Sequence, residues 1–169
     1  MQTNAVPHYD SSVNTTGCCA RFNPEGWDGQ VLRFEDKPFV RASTHSVMHV
    51  PVDMGRVFGR VFRHMEDQEA MDIGQTLVLS RDRSAWNAEH LFATTKPVDT
   101  EENVTLSGDF VTKVFEGPYR TARDWYGEMQ DLVRSRGSEP TDIWFFYTTC
   151  PKCAKAYGKN YVVGVGRLA

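Results

Sequence analysis

No run in the 169-residue chain approaches the ~20 apolar residues that carry a helix across a bilayer, so a membrane partner is not expected. A basic excess is missing too. Lys and Arg number 19 against 22 Asp and Glu, a formal charge of −3, and without a positive field nucleic acid is not an expected partner. The start, Met1-Gln2-Thr3-Asn4-Ala5-Val6-Pro7-His8, lacks the basic and apolar regions of a secretory signal. A cytoplasmic location is therefore expected, with the four cysteines kept reduced. There is also no nucleophile elbow, Ser-His-Asp spacing or phosphate loop. Acid–base groups are sparse, and no cofactor is expected.

What the chain has in quantity is aromatic residues: ten Phe, six Tyr and four Trp. They serve either a core of large side chains or the walls of a pocket. The length fits one domain, which buries about two-thirds of its unfolded surface.

Residues 1–16 are polar and aperiodic, which predicts an arm. Gln30–Phe34 reads as a short strand ending at Glu35-Asp36-Lys37-Pro38, and Phe39–Val50 as a second. Asp53 is the expected N-cap of a helix carrying Met54, Val57, Phe58, Val61, Phe62 and Met65 at spacings of three and four. Thr76–Ser80 and Trp86–Thr94 read as strands. Asn103–Phe115 is another, with a bulge or bend at Gly108-Asp109. A second apolar stripe, Ala122, Trp125, Tyr126, Met129, Leu132 and Val133, predicts a helix ending near Gly137. Ile143–Thr149 and Tyr161–Leu168 close the chain as strands.

The plan of the first half recurs in the second. An offset of 67 (51 to 118) lays Pro51 on Pro118, Phe58 on Trp125, Phe62 on Met129 and Met65 on Leu132. The expected class is α+β, with two strand–helix–strand–strand modules in pseudo-twofold arrangement and helices on one side of antiparallel sheets. The modules are bounded at about 38–98 and 99–169, behind an N-terminal arm and cover segment, 1–37.

Four cysteines stand in two short motifs, Cys18-Cys19 and Cys150-Pro151-Lys152-Cys153. Structural thiols, a metal site and a redox pair all fit them, and no metal ligand is assigned. On Ile143-Trp144-Phe145-Phe146-Tyr147 both faces are aromatic. One face therefore covers the helices, and the other meets an N-terminal cover or a ligand. Trp86, Trp125, Tyr126, Phe58, Trp144, Phe146 and Tyr157 are the candidate ligand-binding residues, with Phe58 also read as core. Glu116 and His49 end strands at symmetric positions under the repeat and are the candidate polar pair, with Tyr147 a third candidate. Glu89 reads as a solvated or capping carboxylate. His45 and His49 are expected on one strand face.

Thr112-Lys113-Val114-Phe115-Glu116-Gly117-Pro118-Tyr119 and the helix after it resemble the GyrI-like small-molecule-binding family over roughly residues 38–168. A narrower resemblance is to stand-alone bacterial members, carried by Cys18-Cys19-Ala20-Arg21-Phe22 and by Tyr147-Thr148-Thr149-Cys150-Pro151-Lys152-Cys153-Ala154-Lys155. The resemblance implies a domain of paired modules binding an aromatic compound, in some members with hydrolytic opening of a cyclopropane ring inside an aromatic cage. The last strand here, Tyr161–Leu168, lacks the acid that pairs with cationic ligands in drug-binding members, which implies a neutral aromatic ligand. The expected activity is detoxifying hydrolysis of an electrophilic aromatic compound, with sequestration without chemistry as the alternative. A zinc or redox protein is the third reading, and both monomer and homodimer remain open.

Overall fold

The computed structural model describes residues 2–7, 12, 14–17 and 19–169, with the side chain of Pro151 excepted. Its elements are β1 (Val31–Val47), β2 (Val50–Pro51), α1 (Met54–Asp67), β3 (Val78–Asp82), β4 (Asn87–Ala93), β5 (Glu102–Glu116), α2 (Ala122–Ser135), β6 (Ile143–Tyr147), α3 (Pro151–Tyr157) and β7 (Tyr161–Arg167). The fold is α+β. The sheet runs β2-β1-β4-β3-β6-β7-β5, every pairing is antiparallel, and β5 returns to pair with β1. Six strands therefore close into a barrel, which among the described residues leaves only the short β2 as an edge.

Two strands expected before residue 50 are one. β1 continues through Glu35–Pro38, and its pairing with β5 shifts between Phe34 and Lys37. Two residues of β1 there oppose one of β5, with Asp36 at φ 48° and Gly108 of β5 at φ 128°. The Pro38 that suggested a break is absorbed by this bulge, which bends a strand long enough to serve both β4 and β5. At the other end, Met48 and His49 have positive φ values of 50° and 68°. They form the β1–β2 turn, so His49 is not on the strand face with His45. Asp53 precedes α1, but its carboxylate does not cap the helix. It accepts instead from the His45 backbone N–H at 2.7 Å and pairs with the His45 ring at 2.8 Å.

Strand pleating separates two environments. Leu32, Phe34, Phe39, Leu79, Leu91, Phe110, Trp144, Phe146, Val163 and Val165 point into the barrel. Val40, Ala42, Val78 and Phe92 point outward beneath the Val57, Val61 and Met65 stripe of α1. Phe115, Ile143, Phe145 and Val162 do the same beneath Trp125 and Met129 of α2. The helix α2 sits close because β7 offers glycine there. A Cβ at Gly164 would come within 2.4 Å of the Met129 sulfur, and one at Gly166 within 2.5 Å of Val133.

The second aromatic face of β6 meets the chain's own N-terminal segment. Trp27 is wholly buried inside the barrel, 5.6 Å from Phe146 and 5.7 Å from Phe22 between ring centroids. The Thr112 hydroxyl donates to the Trp27 carbonyl. The expected arm is also partly fixed. Val6 belongs to the interior cluster, and the Asn4 backbone N–H donates to the Arg33 carbonyl at 2.8 Å. Such contacts offset the entropy of ordering a polar segment. Trp27→Ala is expected to destabilise the protein by about 3–5 kcal/mol, read from the midpoint of urea unfolding. A change under about 1 kcal/mol would mean the barrel closes without its cover.

Candidate functional site

Strands β3 and β6 meet through a single register pair, Ser80 with Phe145, where the other barrel pairings run over five to nine pairs. On the outer wall this seam lies between the sheet regions covered by α1 and by α2. Pleating brings Ser80 and Asp82 of β3 to that wall, with Phe145 of β6 opposite Ser80 and Tyr147 two residues along β6 on the Val78 side.

On the β6 side, Tyr147 lies 6.4 Å from Phe145 and 5.6 Å from Tyr119 between ring centroids. Tyr147 keeps 42% of its surface exposed, more than its neighbour Phe145. On the β3 side the Ser80 hydroxyl is 2.7 Å from Nδ1 of His90, and the Thr44 hydroxyl is 2.8 Å from Nε2 of the same ring. Phe58 of α1 packs edge-on against His90 at 4.8 Å. At one end of the strip His49 pairs with Asp82 at 2.8 Å, and the β3–β4 turn carries Trp86, 58% exposed.

These surroundings set the protonation states. His90, 1% exposed, has its pKa lowered from 6.5 to about 4, chiefly because burial disfavours the imidazolium. The neutral ring offers one donor and one acceptor, which the two hydroxyls satisfy. Its weak basicity suits holding the Ser80 hydroxyl in place rather than drawing off its proton. Burial, helped by the charge on Asp82, raises the Tyr147 pKa. Burial first, then the nearby Cys150, pushes Tyr119 up to about 12. Both phenols keep their protons at neutral pH; Tyr119 gives its own to the Thr149 carbonyl, which leaves Tyr147 as the donor a ligand could meet.

The candidate residues from the sequence divide into four groups, the last of them Glu116 and Tyr157 at the end of the barrel that holds the thiols. Phe58, Tyr147, Trp86 and His49 lie along the seam. Trp144 and Phe146 point into the barrel. The Trp144 Nε1 lies 3.4 Å from the Glu89 carboxylate, and the Arg81 guanidinium lies 4.5 Å over its ring. Trp125 is stacked on Phe115 at 5.4 Å beneath α2, while Tyr126 on the same helix is exposed. Glu116 and His49 are not brought together. The former ends β5 and pairs with Lys159 at 2.9 Å, at the opposite end of the barrel from the β1–β2 turn. Glu89, expected in solvent or at a cap, is buried with Arg81 at 2.9 Å and Arg83 at 3.3 Å. Ser80, His90, Thr44 and Tyr119 were not singled out from sequence. The spacing of Ser80 and His90 on successive short strands, with a polar residue in each apolar run, was the available signal.

The Glu116 end of the barrel also holds the thiols. The sulfurs of Cys19, Cys150 and Cys153 lie within 4.8 Å of one another, and Cys18 lies outside the described residues. Cys153 is fully buried, its sulfur 3.2 Å from the Thr16 hydroxyl. That contact first, and the neighbouring thiols after it, lower its pKa to about 7 against the opposing effect of burial. Tyr157 reaches over from α3, donating to the Cys19 carbonyl at 2.6 Å. It also lines a shallow depression with Arg21, Phe22, Thr148, Thr149, Lys159 and Tyr161. Tyr119 links this end to the seam by donating to the Thr149 carbonyl at 2.7 Å.

Against known proteins, one family model matches, over residues 9–168, and its description is bacterial hydrolase. No curated protein matches the chain.

The His90 environment has a consequence for acid stability. Above pH 6.5 the ring is neutral in folded and unfolded chains, and its contribution is complete. As pH falls towards 4 only the unfolded chain takes up the proton, so stability is lost. The loss from this ring between pH 7 and 5 is expected to be about 2 kcal/mol. Urea unfolding at the two pH values should show a correspondingly smaller difference for His90→Gln. Equal differences in parent and variant would place the effect elsewhere.

Proposed function

Because the chain belongs to the bacterial hydrolase family, we propose that it hydrolyses a small, neutral, electrophilic aromatic compound bound along the β3–β6 seam. The observation that carries this reading is the pair of protonated phenols, Tyr119 and Tyr147, set beside Phe145 on a wall whose other side is Phe58 and the Ser80–His90–Thr44 relay. Flat aromatic surface with a few fixed polar groups is what a small-molecule site needs. The barrel interior is filled by Phe22, Trp27 and their neighbours, which favours the outer wall.

We read the domain as two GyrI-like modules. The order β1-α1-β3-β4 followed by β5-α2-β6-β7 supports this, as do two main helices of 14 residues each. Each half pairs its first and third strands internally, β1 with β4 and β5 with β7. Under that reading the β3–β6 seam is a junction between the halves, where a ligand contacts both.

The substrate class is a strained ring, such as a cyclopropane, conjugated to a carbonyl, in a xenobiotic or self-made toxin. The aromatic residues hold the ring system, and the Tyr147 hydroxyl donates to the carbonyl oxygen. Water attacks the strained carbon. The C–C bond breaks towards the carbonyl, giving an enolate held by the Tyr147 hydrogen bond; the attacking water gives up one proton to solvent, and the enolate takes one from solvent at carbon. The product is the substrate plus one water. Strain supplies much of the driving force, so positioning and one proton donor suffice.

Binding without turnover is the second reading. It is favoured by Glu116, whose carboxylate is occupied by Lys159 and stands away from the seam. Incubation with a cyclopropane-bearing alkylator, followed by mass spectrometry, separates the two. The expected result is many equivalents of hydrated product per protein. Unchanged compound held at one equivalent would sink the hydrolase reading. Tyr147→Phe should retain the fold and lower turnover by about 10²-fold, and undiminished turnover would remove Tyr147 from the chemistry.

A further inference from the structure

We propose that Cys19, Cys150 and Cys153 form a three-thiolate site for a soft divalent metal, with zinc the expected ion. Their sulfurs lie within 4.8 Å of one another. Zinc–sulfur bonds of about 2.3 Å in a tetrahedron place sulfurs a little under 4 Å apart, so small rotations of the three side chains suffice. Cys150 and Cys153 are free thiols three positions apart, one just before α3 and one in its first turn. That spacing lets two sulfurs approach one ion from one side. Cys19 arrives from the N-terminal cover and fills a third tetrahedral position.

A redox pair would need two of these sulfurs, and at least one would have to meet a partner protein's thiol. Cys153 is fully buried, which disfavours such an attack, and the third sulfur has no part in a two-thiol exchange. A metal uses all three. Deprotonating three neighbouring sulfurs would gather three negative charges in one place, and a dication offsets that repulsion at the moment of binding.

The elements that meet there give the ion a structural role. Cys19 lies three residues before Phe22 and eight before Trp27, both inside the barrel. Cys150 and Cys153 lie on the connection between β6 and β7. An ion bridging them clamps the cover to the barrel end it closes. The Tyr157 hydroxyl on the Cys19 carbonyl and the Thr16 hydroxyl beside Cys153 already hold the same two segments together. The inference is independent of the proposed activity at the seam.

The test begins with the full chain purified under reductant and without chelator. Elemental analysis is expected to find one zinc per chain. The metal-free protein, titrated with cobalt, should develop the intense visible absorption of tetrahedral thiolate coordination at one equivalent. Zinc should raise the thermal midpoint of the metal-free parent and leave that of Cys19→Ser unmoved. If Cys19→Ser does not fold, the cobalt titration of the parent still decides. No zinc on isolation together with no thiolate absorption on titration would overturn the proposal. So would isolation of the parent with Cys150 and Cys153 already joined as a disulfide.

Discussion

A closed six-strand barrel must fill its own interior. Here the strands supply Leu, Phe, Trp and Val, but the volume is completed by Phe22 and Trp27 from outside the sheet. Interiors packed at crystal-like density leave no room for a missing indole to be made good by small adjustments. The N-terminal segment is therefore part of the core rather than an appendage. This dependence explains why Thr112 on β5 holds the Trp27 carbonyl and why Val114 donates to the Asp28 carboxylate at 2.9 Å. The opposite end is closed differently, with Glu89 taken from solvent only because Arg81 and Arg83 neutralise it and Trp144 packs beneath them.

Filling the interior is the reason the proposed binding surface lies on the outer wall. Along the β1–β4–β3 and β6–β7–β5 parts of that wall the strands are long-paired and carry α1 and α2. Between these two parts lies the β3–β6 junction, with its single register pair. A polar relay survives there only because it is complete: one imidazole, two hydroxyls, and no nitrogen left over. The neutrality of the relay is consistent with the uncharged ligand proposed above. Under the proposed reading, Tyr147 supplies a hydrogen-bond donor without introducing a charge that would have to be desolvated.

Much of this architecture was legible in the chain. The stripes Val57–Val61–Met65 and Trp125–Met129–Val133 mark both main helices because each helix buries one face, and the aromatic run Ile143–Tyr147 marks a strand covered on both sides. The bulge at Glu35–Asp36 was not legible. Pro38 reads locally as a break, and only pairing with β5 shows that the strand continues. The arm was misread for a related reason, since the burial of Val6 is a long-range contact that polar composition hides. Of the site, Tyr147 and Phe58 carried an aromatic signal. Ser80 and His90 did not, because a polar pair across two strands becomes visible only once their register is known. The Cys19–Cys150 approach spans most of the chain, so no local spacing encodes it.

Whether a ligand could instead enter the barrel is an energetic question. It would have to displace Trp27 and its cover, forfeiting a contribution of about 3–5 kcal/mol for the indole alone and breaking the hydrogen bonds of the segment behind it. A small aromatic ligand gains at most about as much from filling the same volume, so exchange brings no net affinity. The outer seam asks for no such displacement. Tyr147 and Trp86 are already exposed there, and covering them removes apolar area from water at once. The sealed interior and the exposed aromatic strip are thus two results of one packing solution. The cover that completes the core leaves the junction between β3 and β6 as the aromatic surface on which the proposed site rests.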